Sequence, residues 1–189
     1  MTTNQSGRRN SRNQRENSKD NDGIIEKVVQ VRRVTKVVKG GRNLRFSVMV
    51  VAGDQKGKVG VASGKGAAVP DAVRKAANNA RKNMVSVQMK GTTLPYQVNA
   101  KYGAAKIMLK PASPGTGVIA GGGIRAVMEA VGVQDVLSKN LGSNNPVNTV
   151  KATVKALISL KDPEQYIALR KNNFDEKKLD NQEVDNEQS

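Results

Sequence analysis

Six cationic side chains, Arg32, Arg33, Lys36, Lys39, Arg42 and Arg45, crowd fourteen residues around the pair Gly40-Gly41. Guanidinium and ammonium groups at this density are phosphate ligands, because they bring charge and several donors to one place. No carboxylate stands among them to satisfy them internally. Two glycines at the centre let a ligand approach the backbone closely. The bland alternative is an edge hairpin whose charges only keep it soluble. The lack of balancing acids nearby favours a finger that touches phosphates.

Catalysis is poorly supplied. Histidine and cysteine are both absent, which removes the commonest general base, the commonest metal ligand and all thiolate chemistry. Between Ile24 and Leu160 the acids are Glu26, Asp54, Asp71, Glu129 and Asp135, scattered and without a near-sequence pair. Two glycine-rich runs imitate nucleotide loops. In Gly60-Val61-Ala62-Ser63-Gly64-Lys65 the gap between glycines is one residue short, and Gly66 stands where a magnesium-holding hydroxyl belongs. It reads instead as a turn into a helix, where backbone amides and Lys65 hold a phosphate. In Gly115-Thr116-Gly117-Val118-Ile119-Ala120-Gly121 the second gap is one residue too long, and Asn140 and Leu141 fall where a ribose-binding acid is required. Its glycines point to close backbone packing, within the domain or against a partner. Arg125, at the start of the helix that follows, opposes the helix dipole. That placement points to an external carboxylate or phosphate, with an internal salt bridge as the alternative. No cofactor, metal or small-molecule substrate is expected.

The charge balance agrees. Formal net charge is +16 and the isoelectric point is near 10.3, an excess that nucleic acid commonly neutralises. A membrane surface is the competing partner, but no apolar run approaches the roughly 20 residues of a spanning helix. The N-terminus is too polar for a secretory signal, and the absence of cysteine fits a reducing compartment. Aromatic residues are only 3% of the chain, so stacking of bases on an aromatic sheet is not the main mode.

The elements that must position these residues follow from patterning. Residues 1–22 are polar and basic and are expected to be disordered. Arg8, Arg9, Arg12 and Arg15 either settle along RNA or stay solvated. Residues 23–87 form a first unit of three strands and a helix. Ile24 to Val38 and Asn43 to Ala52 flank the glycine turn, with Leu44, Phe46, Val48 and Val50 alternating onto an apolar face. Lys58 to Ala62 is a short third strand, and Ser63 to Gly66 a turn. A helix from about Pro70 buries Val69, Ala72, Val73, Ala76, Ala77, Ala80 and Met84 and leaves Arg74, Lys75, Arg81 and Lys82 outside. Residues 92–161 form a second unit. It has strands at Leu94 to Val98 and Ala105 to Leu109, a turn at Lys101 to Gly103, and a short helix ended by Gly132. A strand follows at Val133 to Leu137, then a last helix capped by Asn145-Pro146. That helix is expected to bury Val147, Val150, Val154, Leu157 and Ile158. Residues 162–189 are read as an acidic, flexible tail.

Three stretches carry a resemblance in order and spacing: VRRVTKVVKGGR, GKVGVASGKGAAVPDAVRKAANNARKNM and KPASPGTGVIAGGGIRAVMEAVGVQDVLSKNLGSNNPVNTVKAT. From about Ile24 to Leu160 the chain resembles the bacterial small-subunit ribosomal protein five family. The resemblance implies an α+β protein of two two-layer α/β domains. The first is double-stranded-RNA-binding-like (βββα); the second is the family's C-terminal fold, with a left-handed βαβ crossover. It implies a cytoplasmic place in the small ribosomal subunit, bound to ribosomal RNA and to small-subunit proteins four and eight. There the family stabilises the body and head and influences decoding accuracy. The hairpin residues Thr35 and Lys39, Gly40, Gly41 and Arg42 then lie on RNA. Gly117, Gly121, Gly122 and Arg125 face a protein neighbour. Ala68 departs from the family, which often has an acid there. A free duplex-RNA-binding regulator and, behind it, a nucleotide-dependent RNA-remodelling enzyme are the rival readings.

Overall fold

The computed structural model describes residues 23–163 and 166–170; the basic segment 1–22 and most of the acidic tail lie outside the described residues. The first unit comprises β1 (Ile25–Val38), β2 (Gly41–Gly53), β3 (Lys58–Gly66), α1 (Val69–Lys82) and β4 (Val85–Ser86). The second comprises β5 (Val98–Tyr102), β6 (Ala105–Pro111), β7 (Val118–Ile119), α2 (Gly122–Val131), β8 (Val136–Asn140) and α3 (Pro146–Ile158). Each unit has one four-stranded sheet, ordered β1-β2-β3-β4 and β5-β6-β8-β7. All pairings are antiparallel except β7 with β8. The β7-α2-β8 unit is therefore the strand-helix-strand segment that the resemblance anticipates.

The first sheet is covered on both faces at its inner end. Val48 and Val50 pack on Ala72, Ala76 and Ala77 of α1. Met49, Val51 and Val59 turn the other way and join Val127, Met128 and Val131 of α2 in the main core. The β2–β3 turn completes the joint. The amides of Gln55 and Gly57 donate to the carbonyls of Ala130 and Val131 at 3.1 and 3.0 Å. These are acceptors that the last turn of a helix leaves open. Gly132 ends α2 at φ +97°, a left-handed cap that glycine adopts without a Cβ penalty. Lys27 of β1 pairs with Glu129 of α2.

Several boundaries move from the sequence reading. Ser63 to Gly66 is strand, not turn, and β3 runs to Gly66. The cause is packing: a Cβ on Gly60 would lie 2.0 Å from the Ala80 carbonyl oxygen, and one on Gly64 would lie 2.3 Å from that of Ala72. The glycines let α1 sit directly on the strand. Two-residue strands β4 and β7 are too short to show any period. Leu94 to Gln97 is irregular: Thr93 bridges to Lys90, and Leu94 is buried in the main core. Tyr102 belongs to β5, and the turn is Gly103-Ala104. The strand expected at Val133 to Leu137 is shifted to Val136–Asn140, since Gln134 and Asp135 amides bond instead to Thr92. In α3 the Asn145 cap holds, but the buried face is Thr149, Val150, Ala152, Thr153, Ala156 and Leu157, and Ile158 is exposed. The Thr149 and Thr153 hydroxyls make this possible by donating to carbonyls one turn back.

Candidate nucleic-acid interface

The hairpin outruns its own support. β1 has 14 residues and so has α1, but a strand rises about 3.3 Å per residue and a helix about 1.5 Å. The helix therefore covers the strands only as far as Phe46. Beyond it Val37 and Leu44 are exposed, with Val37 at 71%, so the outer part of the apolar face expected around Leu44 is not core. Gly41, at φ +137° with open space around it, closes the tip.

Strand register sorts the cations. Arg33 lies opposite Phe46, Thr35 opposite Leu44 and Val37 opposite Arg42. Phe46 packs toward α1, so Arg33, Thr35 and Arg42 share the α1 side. Arg32 lies opposite Ser47, Val34 opposite Arg45, and Lys36 opposite Asn43. On the next strand Lys65 lies opposite Ser47. Arg32, Lys36, Arg45 and Lys65 thus share the other face, turned toward the second domain. Lys39 and Gly40 stand at the apex. The residues named from sequence are therefore brought into one projection but onto two faces. Lys65 reaches its place from a strand, not from a phosphate-binding turn at the start of α1. That helix start has Ala68 as its cap, with no side-chain bond.

On α1, Arg74 and Lys75 are exposed near the hairpin end, and Arg74 pairs with Asp71 at 3.3 Å. Lys82 is at the opposite end of the helix, eight residues or roughly 12 Å from Arg74. Arg81 is engaged internally, 2.7 Å from Glu26. Among the described residues no ion pair reaches Arg33, Lys36, Lys39, Arg42, Arg45 or Lys65. Among them too, no cluster of acids could hold a metal, and no helix is long and apolar enough to cross a membrane.

The second candidate surface is at the β7 edge of the other sheet. A Cβ on Gly117, Gly121 or Gly122 would meet nothing within 4 Å, so these glycines do not serve packing inside the chain. Among the described residues Arg125 makes no salt bridge; its guanidinium donates to the Val118 carbonyl at 3.1 Å and remains exposed. Exposed Ile119 and Leu137 lie side by side across β7 and β8, giving a small apolar patch beside the guanidinium.

Asp135 organises this edge, and sequence reasoning missed it. It is 4% exposed. Its carboxylate accepts from the Gly117 amide at 2.9 Å and the Thr92 hydroxyl at 3.0 Å. The Gly117 amide is the chief cause that holds the carboxyl below the usual range; Thr92, Gly115 and Thr116 add to it against desolvation. Its one signal in the sequence is a lone acid inside an apolar run, Val133 to Leu137.

Comparison with known proteins gives matches along this whole arrangement. Residues 24–88 match the family model described as ribosomal protein S5, N-terminal domain. Residues 100–170 match the model for the C-terminal domain of the same protein. Over 155 residues the chain is 56% identical to the small ribosomal subunit protein uS5 of Nitrosococcus oceani, covering 82% of this chain and 91% of that relative.

Proposed function

Because the chain belongs to the ribosomal protein S5 family, we propose that its hairpin and its glycine-rich edge divide its contacts between RNA and protein. The chain is a structural constituent of the small ribosomal subunit, binds small-subunit ribosomal RNA and is not an enzyme. The observation that carries the division is the hairpin. A stiff two-stranded projection bears Arg32, Arg33, Lys36, Lys39, Arg42 and Arg45, and no acid pairs with its outer cations among the described residues. RNA phosphates are the anions that complete it. Thr35 adds a hydroxyl for a phosphate or ribose, Gly40 and Gly41 admit RNA to the apex, and Lys65, Arg74, Lys75 and Lys82 extend the contact along the domain.

Gly117, Gly121, Gly122 and Arg125, beside the Ile119–Leu137 patch, form the face for a protein neighbour. Small-subunit proteins four and eight are the neighbours proposed. A chain that holds RNA at one end and protein at the other ties body to head and biases decoding accuracy. The test is Gly41→Val in reconstituted small subunits. Valine at φ +137° costs about 1–3 kcal/mol of local strain at a position where nothing packs. Expected is loss of RNA protection at the hairpin tip while the free protein still folds cooperatively, its melting temperature lowered by roughly 2–10 °C as that strain requires. Unaltered protection at full occupancy rejects the finger.

A further inference from the structure

α3 presents a second stripe besides its buried one. Lys151, Val154, Lys155 and Ile158 follow the i, i+3, i+4, i+7 spacing of one helix side and line a cleft against the first sheet. Met49, Val61 and Ser63 form the opposite wall, on the face turned away from α1. Ile158 is 51% exposed although its neighbour Leu157 is fully buried. The cleft holds about 340 Å³, inside the usual range of small-ligand sites, about 300–1,000 Å³. It lies on the β5 side of the second sheet, at the edge opposite the glycine-rich segment.

Its chemistry is two ammonium groups over an apolar floor, with no carboxylate among the lining residues. Lys151 Nζ sits 5.2 Å from the centroid of the Tyr102 ring and donates to its hydroxyl oxygen at 3.3 Å. Lys155 Nζ donates to the Lys101 carbonyl at 3.4 Å. An ammonium has three donors, so both lysines are placed by β5 and still have donors for an anion. Two residues along β3 from Ser63 is Lys65, opposite Ser47 and on the same sheet face as Arg45. The cleft therefore opens onto the basic face of the hairpin.

We infer that this cleft takes one unstacked nucleotide of the small-subunit RNA. Its base lies against Met49, Val154 and Ile158, and its phosphate lies between Lys151 and Lys155. The inference rests on the RNA-binding reading of the hairpin and adds a site to it. A duplex backbone leaves the apolar floor unused. An acidic peptide satisfies the lysines, but continuity with the hairpin face favours the polymer that the hairpin already holds.

The test uses small subunits reconstituted with wild-type protein, with Ile158→Glu, with Lys151→Glu/Lys155→Glu, or with Arg42→Ala/Arg45→Ala. Base-directed chemical probing is read at equal protein occupancy. Expected are one or two bases that become roughly fivefold more reactive, or more, in both cleft variants, as loss of the apolar contact with the base or of its phosphate contact requires. The sites exposed by Arg42→Ala/Arg45→Ala stay protected in them. All three substituted cleft positions are exposed, and the lysine pair carries the test if Ile158→Glu fails to fold. Unchanged base reactivity in the cleft variants, with the hairpin sites responding, overturns the inference and leaves the hairpin reading standing. If neither set responds, both fall. Loss of a neighbouring protein from the cleft variants with no base becoming reactive identifies an acidic protein occupant and also overturns it.

Discussion

The Asp135 carboxylate draws its donors from two segments, the Gly115 to Gly117 loop and Thr92. Each donor favours the charged form. Because the folded pKa is depressed below the ordinary aspartate value, Asp135 contributes stability that is complete above the ordinary carboxylate range. That contribution is lost as pH falls through the folded value. Asp135→Asn is expected to lower the melting temperature at pH 7, and the difference from wild type is expected to shrink as the pH falls below the ordinary aspartate range. Thermal scans of both proteins from about pH 2.5 to 7 check this, and a constant difference across the range rejects it. Asp54 also gathers amides, on a smaller loop, accepting from Lys56 and Lys58 at 2.8 Å each. In the sequence both acids are visible only as scattered carboxylates. Which amides they collect depends on loops brought together by the fold, and composition has no access to that.

Glycines separate two kinds of packing between elements. A Cβ on Gly53 would sit 2.1 Å from the Ala130 carbonyl oxygen, inside the joint between β2 and α2; one on Gly122 would meet nothing. Gly53→Ala is expected to cost about 1–3 kcal/mol through overpacking, whereas Gly122→Ala stays within about 0.5 kcal/mol. Urea midpoints of the two variants measure the contrast. A Gly122→Ala protein that is stable but poorly retained in subunits supports the protein-facing edge. The same distinction explains what the sequence makes legible. The Asn145-Pro146 start of α3, the Gly132 stop of α2 and the alternation of Ala105, Ile107 and Leu109 are local signals, and each is where the sequence places it. Gly64 and Gly66 are legible as glycines but not as a strand under a helix, because the partner that demands them is in α1, beyond the reach of any local pattern. The second stripe of α3 is hidden for a similar reason. Val154 and Ile158 look like core until Thr149 and Thr153 prove to be the buried side.

At the scale of the whole molecule, the joint makes one body of the two domains. Gln55 and Gly57 cap α2, Lys27 pairs with Glu129, and one apolar cluster includes residues of both sheets. The direction of the hairpin is therefore set by the domain that carries the glycine-rich edge. The chain's net charge of +16 opposes compactness, and phosphates relieve it while releasing their counterions. With roughly six to ten phosphates engaged, affinity for small-subunit RNA is expected to fall ~10³-fold or more between 50 and 200 mM salt. Arg42→Ala/Arg45→Ala frees up to two of those phosphates, so the log–log slope should become shallower by roughly one for each phosphate no longer neutralised. Filter binding across a salt series measures both numbers. A flat titration, or a slope indifferent to the hairpin arginines, means that the affinity comes from somewhere other than this projection. The exposed cations would then be compensating for the charge of a neighbour, not holding RNA.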